Sequence, residues 1–169
     1  IAGRVPWSRD GRYLAVRPSF TLDPDFHAGA YYVQEAASMF LHRVIDQYIH
    51  TPVRYLDLCA APGGKSTDAI ASLPAGSLVV SNEVVPNRTY ILAENLTKWG
   101  SPFSVVTRNE AADFARLESY FDMVATDVPC SGEGMFRKDP DAIAEWSPAG
   151  VDRCAERQQQ ILTCLLYTS

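Results

Sequence analysis

The 169-residue sequence has no long apolar run. Its longest apolar stretches, such as residues 77–80 and 103–106, have only the length of a strand, whereas a membrane-spanning helix needs about 20 apolar residues. The polar bias of a disordered chain is also missing, because 47% of the residues are hydrophobic and 21% are charged. We therefore expect one soluble domain with a packed core.

Cysteine is scarce and widely spaced. The four cysteines are Cys59, Cys130, Cys154 and Cys164, with no C-x-x-C pair among them, and no signal-like segment opens the chain. We therefore expect reduced thiols in a cytoplasmic protein. The three histidines lack the spacing of a metal site, so we expect no metal.

An excess of positive charge is absent as well. The 15 basic and 20 acidic residues give a net charge of −5, which excludes a uniformly basic nucleic-acid clamp. The charge is uneven, at +1 for residues 1–54 and −6 for the remainder. Any polyanion is therefore expected to bind at a local patch.

Two regions follow from the residue pattern. Residues 1–30 are rich in turn residues, and we interpret them as an irregular linker or the end of an upstream domain. From about Gln34 to His50, apolar residues recur at helical spacing, which predicts an amphipathic helix. Strands are predicted at 54–58, 78–82, 103–107 and 121–127, and helices at 65–72, 87–99, 111–117, 141–145 and from 149 onward. This alternation predicts an α/β fold with a parallel sheet in a domain of residues 31–169.

Small residues follow the first strand, in the segment Asp57-Leu-Cys-Ala-Ala-Pro-Gly-Gly-Lys-Ser-Thr67. They let the backbone approach a ligand, and the free N–H groups at a helix start favour an anionic group. We interpret this segment as a ligand cradle. Gly64-Lys65-Ser66 ends like a Walker A loop, but Cys59 stands where that motif requires glycine, which disfavours a nucleoside triphosphatase.

Polar side chains follow the next two strands, at the edge where open parallel sheets bind ligands. Glu83 lies 26 positions after Asp57, where doubly wound folds place an acid that accepts the ribose hydroxyls of a nucleoside cofactor. Asn109 or Glu110 can hydrogen-bond an adenine edge, and the sequence does not choose between them.

A cysteine follows the fourth strand, in Asp127-Val-Pro-Cys130-Ser-Gly-Glu-Gly134. A thiolate that adds to C6 of cytosine makes C5 nucleophilic, so that C5 can take a methyl group and lose its proton. Asp127 is near enough in sequence to hydrogen-bond the N3 edge of the base. A buried structural cysteine is the alternative for Cys130, and an amino-methyltransferase loop would place an aromatic residue there.

These segments resemble the RNA cytosine-C5 methyltransferases of the NOL1/NOP2/Sun family, especially the bacterial 16S ribosomal RNA branch with the F-type enzyme. The matching stretches are residues 27–35, 57–65, 81–88, 127–140 and 146–148, within a span from about Phe20 to Leu162. The resemblance implies a Rossmann-like class I methyltransferase fold and S-adenosylmethionine as cofactor. The implied substrate is RNA, most closely 16S ribosomal RNA, with transfer RNA or a non-catalytic cofactor- and RNA-binding module as alternatives.

The resemblance also implies site residues. The implied cofactor contacts are Cys59, Ala60, Ala61, Pro62, Gly63, Gly64, Lys65, Glu83, Arg88, Asn109, Glu110 and Asp127. The catalytic candidates are Cys130, Asp127 and Lys65. In this family, the motif that holds Cys130 usually supplies the thiol that helps to release the product. Arg137 and Lys138 are candidates for phosphate contacts, and His27, Tyr31 and Tyr32 for stacking on RNA, for shaping the cofactor pocket or for aromatic packing.

The attacking thiol of the family belongs to a later Thr-Cys-Thr motif, which the sequence does not contain. Cys164 is a poor substitute, because it falls in the predicted terminal helix. We therefore expect a fragment with a C-terminally truncated sheet, which lacks the nucleophile and does not turn over on RNA. We also expect its fourth strand to be an exposed apolar edge.

Overall fold

The computed structural model describes residues 1–137 and 139–168, with side chains described up to Leu165. The strands are β1 (Gly3–Arg4), β2 (Arg12–Tyr13), β3 (Arg54–Asp57), β4 (Leu78–Asn82), β5 (Ser104–Thr107) and β6 (Met123–Ala125). The α-helices are α1 (Pro24–His27), α2 (Phe40–Tyr48), α3 (Gly64–Ser72), α4 (Pro86–Trp99), α5 (Asp141–Glu145) and α6 (Pro148–Thr168). Short 3₁₀ helices cover Phe20–Leu22, Ala111–Arg116 and Glu133–Met135.

Four parallel strands form the central sheet, in the order β5-β4-β3-β6. Leu56 pairs with Val80 on one side and with Val124 on the other. The chain therefore reverses its direction of progress across the sheet after β5, and the carboxyl ends of β3 and β6 become neighbours. The expected α/β fold with a parallel sheet is confirmed, and β6 forms one edge of the described sheet.

Alternate side chains of the strands build two hydrophobic layers, as the period-two geometry of a strand requires. Leu56 and Val80 pack with Phe114, Phe121 and Ile161, which brings α6 and the 3₁₀ helix Ala111–Arg116 onto one face. On the opposite face, Tyr55 and Val79 pack with residues of α2 and α3, namely Ile45, Ala69 and Leu73. Helices on both faces leave the edge formed by the strand ends as the place for a ligand.

The first 36 residues contain more regular structure than the interpretation as an irregular linker implies. β1 and β2 form an antiparallel pair, and α1 follows them. The Trp7 indole N–H donates to Ala36 O at 2.7 Å, and Val5 is buried. The division of the chain near residue 30 stays a prediction.

Three predicted elements need correction, two in their bounds and one in its helix type. The helix predicted from Gln34 begins only at Phe40, because residues 36–39 form turns, in which Ser38 N donates to Glu35 O and Met39 N to Ala36 O. The helix predicted at 111–117 is a 3₁₀ helix, and the strand predicted at 121–127 is confined to Met123–Ala125. No helix within the described residues is long and apolar enough to span a bilayer.

Candidate functional site

The predicted cradle turns sharply between β3 and α3. Ala60 N donates to Asn82 O at 2.8 Å, which ties the turn to the end of β4. The Ala61–Pro62 peptide is cis, and Gly63, the residue before α3, has a φ of 114°. Only glycine adopts such a conformation without strain, so the local sequence accounts for the tight turn.

The second glycine of the cradle is required by close packing. A Cβ at Gly64 would lie 3.0 Å from Gln34 Oε1 and 3.2 Å from Tyr32 Cε1. The first intrahelical bond runs from Thr67 N to Gly63 O at 2.9 Å. The N–H groups of residues 64–66 therefore have no acceptor within α3 and can receive an anionic group, which fits the ligand predicted for this loop.

Asp57 stabilises the cradle through hydrogen bonds of its buried carboxyl group. Its side chain is buried, and it accepts from Ser66 Oγ at 2.7 Å, while Ser81 Oγ donates to Ser66 Oγ at 2.9 Å. Burial raises the pKa of Asp57 to about 6, opposed by the Ser66 hydrogen bond and by the charge of Lys65. This carboxyl group therefore holds the start of α3 against the ends of β3 and β4.

Glu83 and Arg88 form a second support beside the cradle. The buried Glu83 carboxylate accepts from Val85 N at 3.0 Å and lies 3.3 Å from Arg88 Nη1. Arg88 Nη2 donates to Ala61 O at 2.8 Å. The structure thus brings together two residues that the resemblance implies as cofactor contacts, and Arg88 joins Glu83 to the loop.

Asn82 is a central residue of the site that the sequence analysis did not single out. Its Oδ1 accepts from Thr107 Oγ1 and from Asn109 N, both at 2.9 Å. Its Nδ2 donates to Leu58 O at 3.2 Å and to Asn109 O at 3.0 Å. The side chain therefore links the ends of three strands. The only sequence signal was its place just before Glu83.

Asn109 and Glu110 lie together after β5 but differ in their contacts. Glu110 forms a capping box with Asp113, in which Glu110 N donates to Asp113 Oδ2 at 3.0 Å. The backbone of Asn109 is held by Asn82, whereas its exposed side chain has no hydrogen bond within residues 1–137 and 139–168. Of the two, Asn109 has its side chain available to a ligand.

The start of α3 meets the loop after β6 through an ion pair. Lys65 Nζ lies 2.6 Å from Asp127 Oδ2, and the two side chains are 35% and 63% exposed. Both groups had been predicted as catalytic candidates from separate motifs. Their contact places a cation and a carboxylate at the mouth of the site, beside the cradle.

Cys130 is solvent-exposed, so the alternative of a buried structural cysteine is wrong. Gln158 Nε2, on α6, donates to Pro129 O at 2.8 Å and fixes the backbone before it. Cys59 is half-buried and accepts from Thr126 Oγ1 at 3.6 Å, and burial raises the pKa of its thiol. Of these two cysteines, Cys130 is the accessible one.

The aromatic residues before α2 divide into two groups. Tyr31 donates to Asp23 and packs against Phe20 and Phe26, and that hydrogen bond raises its pKa to about 12. His27 contacts Phe26 in the same cluster. Tyr32 instead lies against Gly64 of the cradle. Aromatic packing therefore accounts for Tyr31 and His27, and a place beside the loop for Tyr32.

The remaining candidates are Arg137, Lys138, Cys154 and Cys164. Arg137 is exposed, and Lys138 lies outside the described residues. Cys154 and Cys164 are both in α6, so Cys164 falls in a helix as predicted. Within residues 1–137 and 139–168, no three His, Cys, Asp or Glu side chains come together as they would around a metal ion.

Comparison with known proteins gives two family matches on this chain. The family described as 16S rRNA methyltransferase RsmB/F matches residues 49–168, and the N-terminal domain of 16S rRNA methyltransferase RsmF matches residues 2–36. Among curated relatives, Ribosomal RNA small subunit methyltransferase F of Pectobacterium atrosepticum is 33% identical over 94% of this chain and 34% of its own length. The same-named protein of Serratia proteamaculans is 37% identical over 80% of this chain and 28% of its own length. The chain thus spans about a third of the length of these relatives.

Two solved structures share the architecture. A methyltransferase homolog protein from Pyrococcus horikoshii is 28% identical, with a TM-score of 0.74 over 96% of this chain and 50% of its own. NSun6 from Pyrococcus horikoshii, solved with SFG, has a TM-score of 0.74 at 23% identity, over 88% of this chain and 37% of its own. The second likeness supports the fold alone.

Proposed function

The chain belongs to the 16S rRNA methyltransferase RsmB/F family, and from that premise we propose that it forms the cofactor-binding part of an S-adenosylmethionine-dependent RNA cytosine-C5 methyltransferase. The proposed substrate is 16S ribosomal RNA, and the proposed location is the cytoplasm, where its thiols stay reduced. The observation that carries the proposal is the contact between Lys65 and Asp127, 2.6 Å apart at the mouth of the glycine cradle.

The cradle fits the cofactor by shape and by charge. A Cβ at Gly64 would lie 3.0 Å from Gln34 Oε1, so glycine lets the loop pack closely against Gln34 and keeps the turn compact. The free N–H groups at the start of α3 suit a carboxylate, as in the methionine part of the cofactor. Residues 59–65 would hold that part, Glu83 with Arg88 the ribose, and Asn109 the adenine edge.

When bound, S-adenosylmethionine supplies an electrophilic methyl group. Lys65 keeps the Asp127 carboxylate oriented toward the mouth of the site. There the carboxylate would accept a hydrogen bond from cytosine N3 when that nitrogen takes a proton from water as a thiolate adds to C6. The ring becomes reactive when a thiolate adds to C6, because electron density then moves to C5. C5 would then take the methyl group, and its proton would pass to a base, for which the exposed Cys130 sulfur is the candidate. Loss of that proton would re-form the bond between C5 and C6 as a double bond and expel the attacking sulfur as a thiolate.

Cys130 is suited to the last stage of that sequence. Its thiol is exposed on the loop that also carries Asp127, and the Gln158 hydrogen bond to Pro129 O at 2.8 Å fixes the backbone before it. We assign Cys130 to product release, and we assign Asp127 to the recognition of cytosine.

Calorimetry tests the proposal directly. The chain is titrated with S-adenosylmethionine and, separately, with ATP and magnesium, which a triphosphatase would bind instead. We expect binding of S-adenosylmethionine alone, and at least a tenfold loss of affinity in Glu83→Ala, equivalent to about 1.4 kcal/mol. Glu94→Ala, an exposed acid on α4, is the matched control. Equal affinity of wild type and Glu83→Ala, or a preference for ATP, would overturn the proposal.

A further inference from the structure

The first twenty residues differ in charge from the remainder of the chain. They contain four arginines and one aspartate, for a net charge of +3, while the other residues sum to −8. Arg4 and Arg12 lie on β1 and β2, Arg9 lies in the turn between them, and Arg17 follows β2. A basic patch on an acidic protein is the electrostatic footprint of a polyanionic partner.

The register of the β1–β2 pair sets two of these charges against each other. Arg4 is directly opposite Arg12 across the antiparallel pair. Directly opposed side chains lie on one face with Cβ atoms about 5 Å apart, and like charges so placed destabilise the pair. An anion between the two guanidinium groups would remove this repulsion.

The hairpin contains too few acids to compensate its arginines. Asp10 lies 3.4 Å from Arg9, and Arg9 Nη2 also donates to Ala71 O at 3.2 Å. Arg12 Nη1 bonds only backbone carbonyls, those of Arg9 and Gly11. Arg4 makes no hydrogen bond or ion pair with any described residue. Its guanidinium group is therefore available to a ligand.

Arg17 extends the basic surface beyond β2. It is exposed, and its guanidinium carbon lies 6.0 Å from the centre of the Phe20 ring. Between Arg12 and Arg17 the chain exposes Tyr13 (41%), Leu14 (49%) and Val16 (79%). Exposed aromatic and apolar side chains beside basic residues suit single-stranded nucleic acid, because bases stack on them while the cations hold phosphates.

The hairpin is held firmly enough to act as a docking surface. Ser8 is buried, and the Trp7 indole N–H reaches Ala36 O at 2.7 Å. A Cβ at Gly11 would lie 2.8 Å from Met39 Sδ, so the turn is pressed against the start of α2. Through Arg9, the hairpin also contacts Ala71 on α3, whose opposite end is the cradle, about 10 Å away along the helix axis.

We propose that residues 1–17 form an RNA-docking hairpin, in which Arg4 and Arg12 bracket one phosphate, Arg17 binds another and Tyr13 stacks on a base. This inference rests on the proposed function, since it names the surface that would hold the RNA substrate of the same site. A phosphate between Arg4 and Arg12 turns a destabilising cross-strand pair into a binding element.

The test measures binding of a labelled single-stranded RNA of roughly 12 nucleotides by fluorescence anisotropy at several salt concentrations. The variant Arg4→Gln/Arg17→Gln is compared with Arg116→Gln/Arg153→Gln, which removes two exposed arginines elsewhere. For the hairpin variant we expect about tenfold weaker binding at low salt and a salt slope smaller by roughly 1.4, at about 0.7 for each phosphate contact. The control variant should bind RNA as wild type does.

Three results would overturn the docking hairpin: no RNA binding by the wild type, an equal loss in both double variants, or equally effective competition by polyglutamate, which would indicate an acidic protein partner. Calorimetry with S-adenosylmethionine on the same samples separates this inference from the proposed function. If cofactor binding is intact while RNA binding is unchanged by Arg4→Gln/Arg17→Gln, the hairpin is wrong and the cofactor site stands. If the wild type does not bind S-adenosylmethionine, the proposed function is rejected instead.

Discussion

Lys65 Nζ lies 2.6 Å from Asp127 Oδ2, so the first turn of α3 is joined to the loop after β6. The two residues are 62 positions apart in sequence and become neighbours because β6 adds to the sheet beside β3 rather than beside β5. The contact therefore depends on the reversal of strand order, the feature of open parallel sheets that creates a ligand site.

We expect Lys65→Met to weaken ligand binding with only a small effect on stability. The pair is exposed, so its loss should lower the free energy of unfolding by less than about 1 kcal/mol. Affinity for S-adenosylmethionine should fall at least fivefold, because Asp127 loses the cation that orients it. Urea unfolding and calorimetry measure the two quantities.

A double-mutant cycle with Asp127→Asn checks that the effect belongs to the pair. The double variant should lose less affinity than the sum of the losses in the two single variants. Once one residue of the pair is replaced, the interaction is already broken, and replacing the other removes nothing more from it. Lys98→Met, which breaks a partly exposed ion pair with Glu94 on α4, is the control. Strictly additive losses would reject the pair as a unit of the site.

Asn109→Ala and Glu110→Ala should have opposite consequences. Asn109 has an exposed side chain without a hydrogen bond to any described residue, so its loss should weaken S-adenosylmethionine binding several-fold with little effect on folding. Glu110 caps the 3₁₀ helix Ala111–Arg116, so its loss should cost about 1 kcal/mol of stability with affinity unchanged. The reverse pattern would make Glu110 the adenine contact.

Asn82→Ala should be strongly destabilising. Its amide joins Leu58 O, Thr107 Oγ1 and both backbone groups of Asn109, so truncation leaves one buried and several partly buried polar groups unpaired. At 1 to 3 kcal/mol for such a group, we expect a loss of about 3 kcal/mol in the free energy of unfolding, measured by urea titration. Asn95→Ala, which removes an exposed amide bonded to Pro62 O, should cost less than about 1 kcal/mol. Similar losses in the two variants would contradict the role of Asn82.

The sequence predicts the strands of the sheet and the helices that pack on it well, because each element has its own period of apolar residues. It placed the start of α2 too early, since residues 36–39 are turns and the Trp7 indole holds Ala36 from 29 positions away. Asn82 was overlooked for a related reason. Its partners come from three strands, and their proximity follows only from the order of the sheet. Local pattern predicts elements, whereas contacts between distant segments determine boundaries and supports.

Asp57 should make stability depend on pH. Burial raises its pKa to about 6 in the folded state, above the unfolded value of about 3.9, so the folded chain holds this proton more tightly. The protonated group therefore favours folding below about pH 4, and that contribution is lost as the pH rises to about 6. Relative to Asp57→Asn, the urea midpoint of the wild type should fall across this range and run parallel above it. Parallel curves from pH 4 to 6 would contradict the raised pKa.

A series of glycine substitutions should separate backbone strain from steric overlap. A Cβ at Gly134 meets nothing within 4 Å and its φ is not positive, so Gly134→Ala should be nearly neutral. Gly132 has equal space but a φ of 83°, so alanine there should cost about 1 kcal/mol. Gly29 combines a φ of 74° with a Cβ position 1.8 Å from Lys98 O, a backbone atom of α4 that cannot move aside without disturbing the helix.

Gly29→Ala should therefore cost more than about 3 kcal/mol, or detach the segment before α2 from the end of α4. Detachment would appear as new protease cleavage between α1 and α2 while the melting of the sheet is retained. A melting temperature within a degree of that of Gly134→Ala, with no new cleavage, would show that Gly29 does not hold this segment on α4.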